Sequence, residues 1–207
     1  MIAVVDYGGG NLGSLVAALG RRAAEFVVTS DAATVAAAGS AILPGDGAFA
    51  ATAAALHERE LDAAMRALVD RGRPFLGICV GMQLLYERSV EHGEHAGLGI
   101  FPGTIRRFAG APRVPHMGWN ELDLEREHPF VAGLPARPYA YFLHSFRADV
   151  DDATLASCEH GERFAAIVAR GNVVATQFHP EKSQATGARL LQNFIGMTVR
   201  ASAEAAA

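Results

Sequence analysis

Cysteine is scarce in this chain of 207 residues: there are two, Cys79 and Cys158, far apart and without a CxxC pair. That excludes a disulfide framework and a thiolate-rich zinc site. Basic charge is in deficit as well. With 18 Lys and Arg against 22 Asp and Glu, the formal net charge is −4, so no positive field awaits a nucleic-acid backbone. No apolar run approaches the roughly 18 residues of a membrane span. The opening MIAVVDYGGG lacks the basic n-region of a secretory signal, and no internal repeat is visible. These absences read as a cytoplasmic chain that meets neither membrane nor nucleic acid. What is present is apolar residue, 50% of the total. That suffices for one sizeable core, so a single domain is expected over 1–200, with the Ala-rich 201–207 as a frayed tail.

The most informative stretch is PFLGICVGMQLL (74–85), in which Cys79 stands between Gly77 and Gly81. A buried strand (PFLGI) that turns sharply into a helix (VGMQLLYERS) is a nucleophile elbow with sulfur as the nucleophile. The helix start favours a thiolate, and the N–H of Val80 is available to a developing oxyanion. Gln83 lies one turn along the same face. A small buried apolar cysteine is the bland alternative. A cysteine nucleophile needs a histidine within reach, and QFHPEKS (177–183) offers one. Proline after His179 holds that residue extended, and Glu181 two residues on projects to the same side. A carboxylate beside an imidazole orients the ring and stabilises its charged form. The alternatives are a satisfied strand-end histidine and a helix-start carboxylate.

The rest of the chain alternates strand and helix. IAVV (2–5) leads into a glycine loop and a helix from Leu12 to Arg22. The loop satisfies GxGxxG through Gly8, Gly10 and Gly13, and Asp31 follows the next strand-like run, so a dinucleotide-binding module is an alternative reading. SAILPGDGAF (40–49) is a strand ending in a glycine turn, followed by a helix over about 51–71. In a parallel sheet that turn lies beside the Cys79 elbow, so the N–H groups of Gly45, Asp46 and Gly47 are candidates for a second oxyanion donor. Glu87 to Gly103 reads as a surface loop; its His92 and His95 lack a third metal ligand, and no metal or other cofactor is expected. GAPRVPHMGWN (110–120) is a Pro/Gly stretch that carries the one tryptophan. From Tyr139 to Val174 several β-rich runs follow, with a hairpin signal at Arg-Gly-Asn, so this part of the sheet is expected to be antiparallel or mixed.

In these motifs the chain resembles the class I (triad) glutamine amidotransferases over nearly its whole length. GICVGMQ and QFHPEKS are similar to motifs of all triad members. DYGGGNL, LPGDGAF, VPHMGWN and YFLHSF resemble blocks of the glutaminase subunits of imidazole glycerol phosphate synthase. The resemblance implies a flavodoxin-like open α/β sheet with helices on both faces. It also implies that Cys79, His179 and Glu181 form a triad, with Val80 and the Gly45–Gly47 turn as oxyanion donors. Gln83 and the backbone of Ser145 and Phe146 would hold the amino-acid end of glutamine. Asn11, Met117, Trp119 and Tyr141 would face a (βα)₈-barrel cyclase partner in a heterodimer. The glutaminase subunit of another synthase, such as pyridoxal phosphate synthase, is the alternative within the family. Three positions depart from the usual pattern: Asp46 in place of valine, Gly9 in place of methionine, and Phe146 in place of tyrosine.

Overall fold

The computed structural model describes residues 1–9 and 12–204. Among them, four strand and helix alternations come first: β1 (Ile2–Val5), α1 (Leu12–Gly20), β2 (Phe26–Thr29), α2 (Ala32–Ala37), β3 (Ser40–Leu43), α3 (Phe49–Glu58), α4 (Leu61–Asp70), β4 (Phe75–Ile78) and α5 (Val80–Gln83). A strand-rich half follows: β5 (Tyr86–Ser89), β6 (His95–Ala96), β7 (Phe101–Arg107), β8 (His116–Glu121), β9 (Asp123–Leu124), β10 (Tyr139–His144), β11 (Phe146–Arg147), β12 (Thr154–Glu159), β13 (Arg163–Arg170) and β14 (Val173–Thr176), closed by α6 (Gln184–Glu204).

The main sheet runs β2-β1-β3-β4-β14-β13-β12-β9. Its first five strands pair in parallel and the rest antiparallel, as the two halves of the sequence predict. β1, β3, β4 and β14 are buried along their full length. Their continuous apolar runs are those of strands covered on both faces. α2, α3 and α4 pack as one group, while α1 and α6 meet the turn at Pro180–Lys182. The hairpin signal is met by β13 and β14, where Arg170 pairs with Val173 across Gly171 at φ 58°. Parallel order places the ends of β3, β4 and β14 along one edge of the sheet, where open α/β folds bind ligands.

Four expectations are corrected. The helix expected over 80–89 stops at Gln83, because Tyr86–Ser89 pairs with β7 and β6 instead. The expected loop 87–103 therefore supplies strands of a second sheet, β11-β7-β5-β6, in which every strand but β7 is too short and polar to carry a periodic signal. The single helix over 51–71 is two helices, broken at Glu60 in a left-handed conformation, φ 57°. The Pro/Gly stretch 110–120 ends in β8, which pairs with β10 as a separate two-stranded ribbon. At the C-terminus α6 extends through Ala201 to Glu204, and residues 205–207 lie outside the described residues.

Candidate active site

β4 ends at Ile78, and the N–H of Cys79 continues its ladder to Thr176 O at 2.7 Å. The next step is forced: Cys79 takes φ 55°, ψ −113°, a conformation that costs a non-glycine residue of order 1–3 kcal/mol. It turns the chain into α5 and leaves the thiol at the head of that single helical turn. Two glycines make the turn possible. A Cβ at Gly81 would lie 2.1 Å from Leu43 O, and one at Gly45 would lie 2.7 Å from Gly81 N. The Gly45–Gly47 turn after β3 is thus packed against the start of α5, as expected for neighbouring parallel strands. Asp46 is exposed, and with Gly47 and Val80 it lines the same cavity as Cys79.

His179 leaves the end of β14, and its own backbone is held on two sides. Its N–H donates to Tyr141 O at 3.3 Å, and its carbonyl accepts from Ser183 Oγ at 2.7 Å. The imidazole Nδ1 is 2.8 Å from Glu181 Oε1, and the two side chains are 5% and 4% exposed. Burial disfavours a charged ring here, but interaction with the Cys79 sulfur and then with Glu181 outweighs it, and the His179 pKa is pushed up to about 10. Cysteine, imidazole and carboxylate are therefore one connected unit. With Nδ1 on Glu181, the other ring nitrogen is left for the thiol.

The unit opens into a cavity of about 570 Å³ whose wall includes Gln83, Glu91, Arg107, Ser145, Phe146 and Leu143. Gln83 is buried and donates to Phe146 O at 2.9 Å and to Gln177 Oε1 at 3.1 Å. The Gln177 amide in turn reaches Cys79 Sγ at 3.9 Å. Leu143 O lies 4.0 Å from the same sulfur, so β10 passes directly over the nucleophile.

A model of the family "Glutamine amidotransferase class-I" matches residues 3–197. The chain is also 43% identical over 196 residues to "Imidazole glycerol phosphate synthase subunit HisH" of Oceanobacillus iheyensis, covering 94% of this chain and 98% of that one. The protein of the same name from Rhodospirillum rubrum is 46% identical over 210 residues, covering 94% and 97%. The chain belongs to the class-I glutamine amidotransferases, in their HisH branch. Two solved structures share the fold. One, described as a glutamine amidotransferase, has a TM-score of 0.75 at 22% identity over 96% of this chain and 98% of its own. The other, PurLQS from Thermotoga maritima, has 0.71 at 21% over 94% and 97%.

In this amidotransferase the expected site residues Gly47, Asp46, Cys79, Val80, Gln83, Ser145, Phe146 and His179 share one cavity, with Glu181 and Gly45 directly behind it. Met117, Trp119 and Tyr141 lie together on the β8–β10 ribbon, with Trp119 and Tyr141 paired in register. Asn11 and Gly10 lie outside the described residues. Asp31 caps α2 by accepting from Thr34 N at 2.8 Å, which occupies the carboxylate that a dinucleotide reading would place on a ribose. His92 lines the cavity, its ring 6.4 Å from that of Phe146. The sequence reading missed Glu91, Gln177 and Leu143. Gln177 stood two residues before His179, on the same face of an extended segment, which is the one signal that would have found it.

Proposed function

We infer that this chain hydrolyses glutamine to glutamate and ammonia, as the glutaminase subunit of an imidazole glycerol phosphate synthase. The observation that carries the reading is a strained cysteine beside a His–Glu pair, opening into a cavity roomy enough for a free amino acid. Cys79 sulfur attacks the glutamine carboxamide carbon, forming the S–C bond, and the N–H of Val80 and the Gly45–Gly47 turn receive the oxyanion. His179 gives its proton to the departing nitrogen, the C–N bond breaks, and ammonia leaves. Water, losing a proton to His179, then cleaves the γ-glutamyl thioester and restores the thiol. Glu181 keeps the ring in the required tautomer throughout. No cofactor enters these steps. At the amino-acid end, Glu91 offers a carboxylate for the substrate ammonium, while Gln83 and the Ser145–Phe146 backbone supply polar contacts.

Ammonia released into neutral water becomes ammonium and loses its nucleophilicity, so it is best used by an attached partner. The ribbon fits that role. Met117, Trp119, Tyr139 and Leu143 are exposed on one of its faces beside half-buried Tyr141, an aromatic-rich surface of the kind that anchors protein interfaces. The expected occupant is a (βα)₈-barrel cyclase that turns the ammonia into imidazole glycerol phosphate and aminoimidazole carboxamide ribotide, in a cytoplasmic heterodimer. Glutamate release should be measured with the cyclase present, for the wild type and for Cys79→Ala. Glutamine-dependent release that disappears in the variant is expected; release that persists would refute the assignment.

A further inference from the structure

The ribbon's two faces differ in chemistry. While its odd-numbered residues face outward, His116, Asn120, Phe142 and His144 face inward, with His116 and His144 opposite each other in register. A continuous hydrogen-bond chain runs through this inner face. His144 Nδ1 is 2.9 Å from Phe146 O, His144 Nε2 is 3.1 Å from His116 Nδ1, and His116 Nε2 is 3.2 Å from the Asn120 amide nitrogen.

The partners fix every hydrogen. A carbonyl only accepts, so His144 carries its hydrogen on Nδ1 and presents Nε2 as an acceptor. His116 must then donate from Nδ1 and accept at Nε2. The Asn120 side chain is orientated independently, since its amide nitrogen also donates to Glu159 O at 2.9 Å and its oxygen accepts from Glu121 N at 2.9 Å. A charge on either ring would set two N–H groups against each other. Burial, with His160 adding to it, depresses the pKa of His116 to about 4. His144 falls to about 3 for the same leading reason, against the pull of the Phe146 carbonyl. The other titratable ring against the pair is His160, stacked on His116 at 4.1 Å with its Nε2 on Arg113 O; His179 acts on His144 at longer range.

Phe146 O is also the acceptor for Gln83, so this carbonyl is gripped from the α5 side and from the ribbon side at once. From there the chain continues through Gln83 and Gln177 to Cys79. We propose that His116 and His144, both neutral, are positioning residues that hold the Ser145–Phe146 wall in the geometry that takes glutamine, and that they tie this wall to the partner-facing ribbon. The proposal rests on the glutaminase reading above. It assigns to two buried histidines a task that packing alone would not require, because Phe108, Phe142 and Phe164 already surround them with aromatic surface.

The test uses the complex with its synthase partner. His144→Leu removes the donor to Phe146, whereas His144→Asn keeps an amide hydrogen near the position of Nδ1. KM for glutamine is expected to rise at least about tenfold in the leucine variant and to return within about threefold in the asparagine variant, tenfold being about 1.4 kcal/mol. An unchanged KM in the leucine variant, or an asparagine variant no better than leucine, would overturn the proposal. Should either variant fail to fold, ¹⁵N NMR of the wild-type imidazoles decides. Both rings in the neutral Nδ1–H form from pH 6 to 8 is expected; either ring charged or in the Nε2–H form would overturn it. A wild-type complex that releases no glutamate would refute the glutaminase reading instead, leaving the tautomer measurement to judge the hydrogen-bond chain.

Discussion

Cys79 pays for its reach in backbone strain, and the residues around it are chosen to let that strain persist. Gly81 is the sharpest case. Its absent Cβ makes room for Leu43 O at 2.1 Å, and backbone cannot yield as a flexible side chain would. Gly81→Ala is therefore expected to destabilise the chain by several kcal/mol and abolish glutaminase activity, as read by urea denaturation and glutamate release. A variant of near-wild-type stability would show that α5 and β3 can separate. At Glu181 the sign of a pH effect can be worked out. The His179 pKa in the fold, about 10, lies above the ordinary value of about 6.5, so its contacts stabilise the protein fully below about pH 6.5 and lose that contribution as pH rises through about 10. Glu181→Gln removes one of the raising contacts. The stability gap between wild type and variant should thus be widest near pH 6 and narrower at pH 10, and kcat should fall by about 10²–10⁴. A gap independent of pH would contradict the ion-pair account. Cys79, His179 and Glu181 were legible in the sequence because each sits in a short motif whose geometry is local. Glu91 and Leu143 were not, because they reach the cavity through contacts distant in sequence: Glu91 Oε2 accepts from Phe49 N at 2.7 Å, and Leu143 O lies 4.0 Å from Cys79 Sγ.

Among the elements, the β8–β10 ribbon connects most of the site. Its strand β10 contacts His179 through Tyr141 O and Cys79 through Leu143 O, while its outer face is exposed and aromatic. Trp119 is 47% exposed and packs edge-on to Tyr141 at 6.0 Å, so its removal opens no core cavity. Trp119→Ala should weaken partner binding about tenfold or more, while far-UV circular dichroism stays unchanged. Undiminished affinity by titration calorimetry would move the interface elsewhere. The ribbon was half legible: the runs VPHMGWN and YFLHSF marked it, but a Pro/Gly-rich approach concealed that the first run is a strand. The helix after Cys79 was overestimated for a related reason. Leu84, Leu85 and Tyr86 fit an apolar helical face as well as a buried strand entry, and only pairing with β7 decides between them.

At the scale of the whole molecule, parallel strand order gathers β3, β4 and β14 so that the glycine turn, the nucleophile and the His–Glu pair meet at one edge. The antiparallel half completes the cavity and carries the exposed ribbon. The alternation of apolar runs and glycine turns made this architecture readable, whereas the short polar strands β5, β6 and β11 that flank β7 in the second sheet left no comparable trace. Asp46 belongs to this scale because it lies at the open rim between cavity and solvent. Asp46→Asn is expected to change the partner-stimulated rate by less than about tenfold, or 1.4 kcal/mol. A larger gain would mean that the carboxylate faces the reacting centre. The proposed function is a division of labour, in which this chain makes ammonia and the partner uses it. Its most direct test is product formation by the Cys79→Ser complex, supplied either with glutamine or with an ammonium salt. Glutamine-dependent synthesis is expected to fall by on the order of 10³ or more while ammonium-dependent synthesis persists. Loss of both in a folded complex, or survival of synthesis from glutamine, would contradict it.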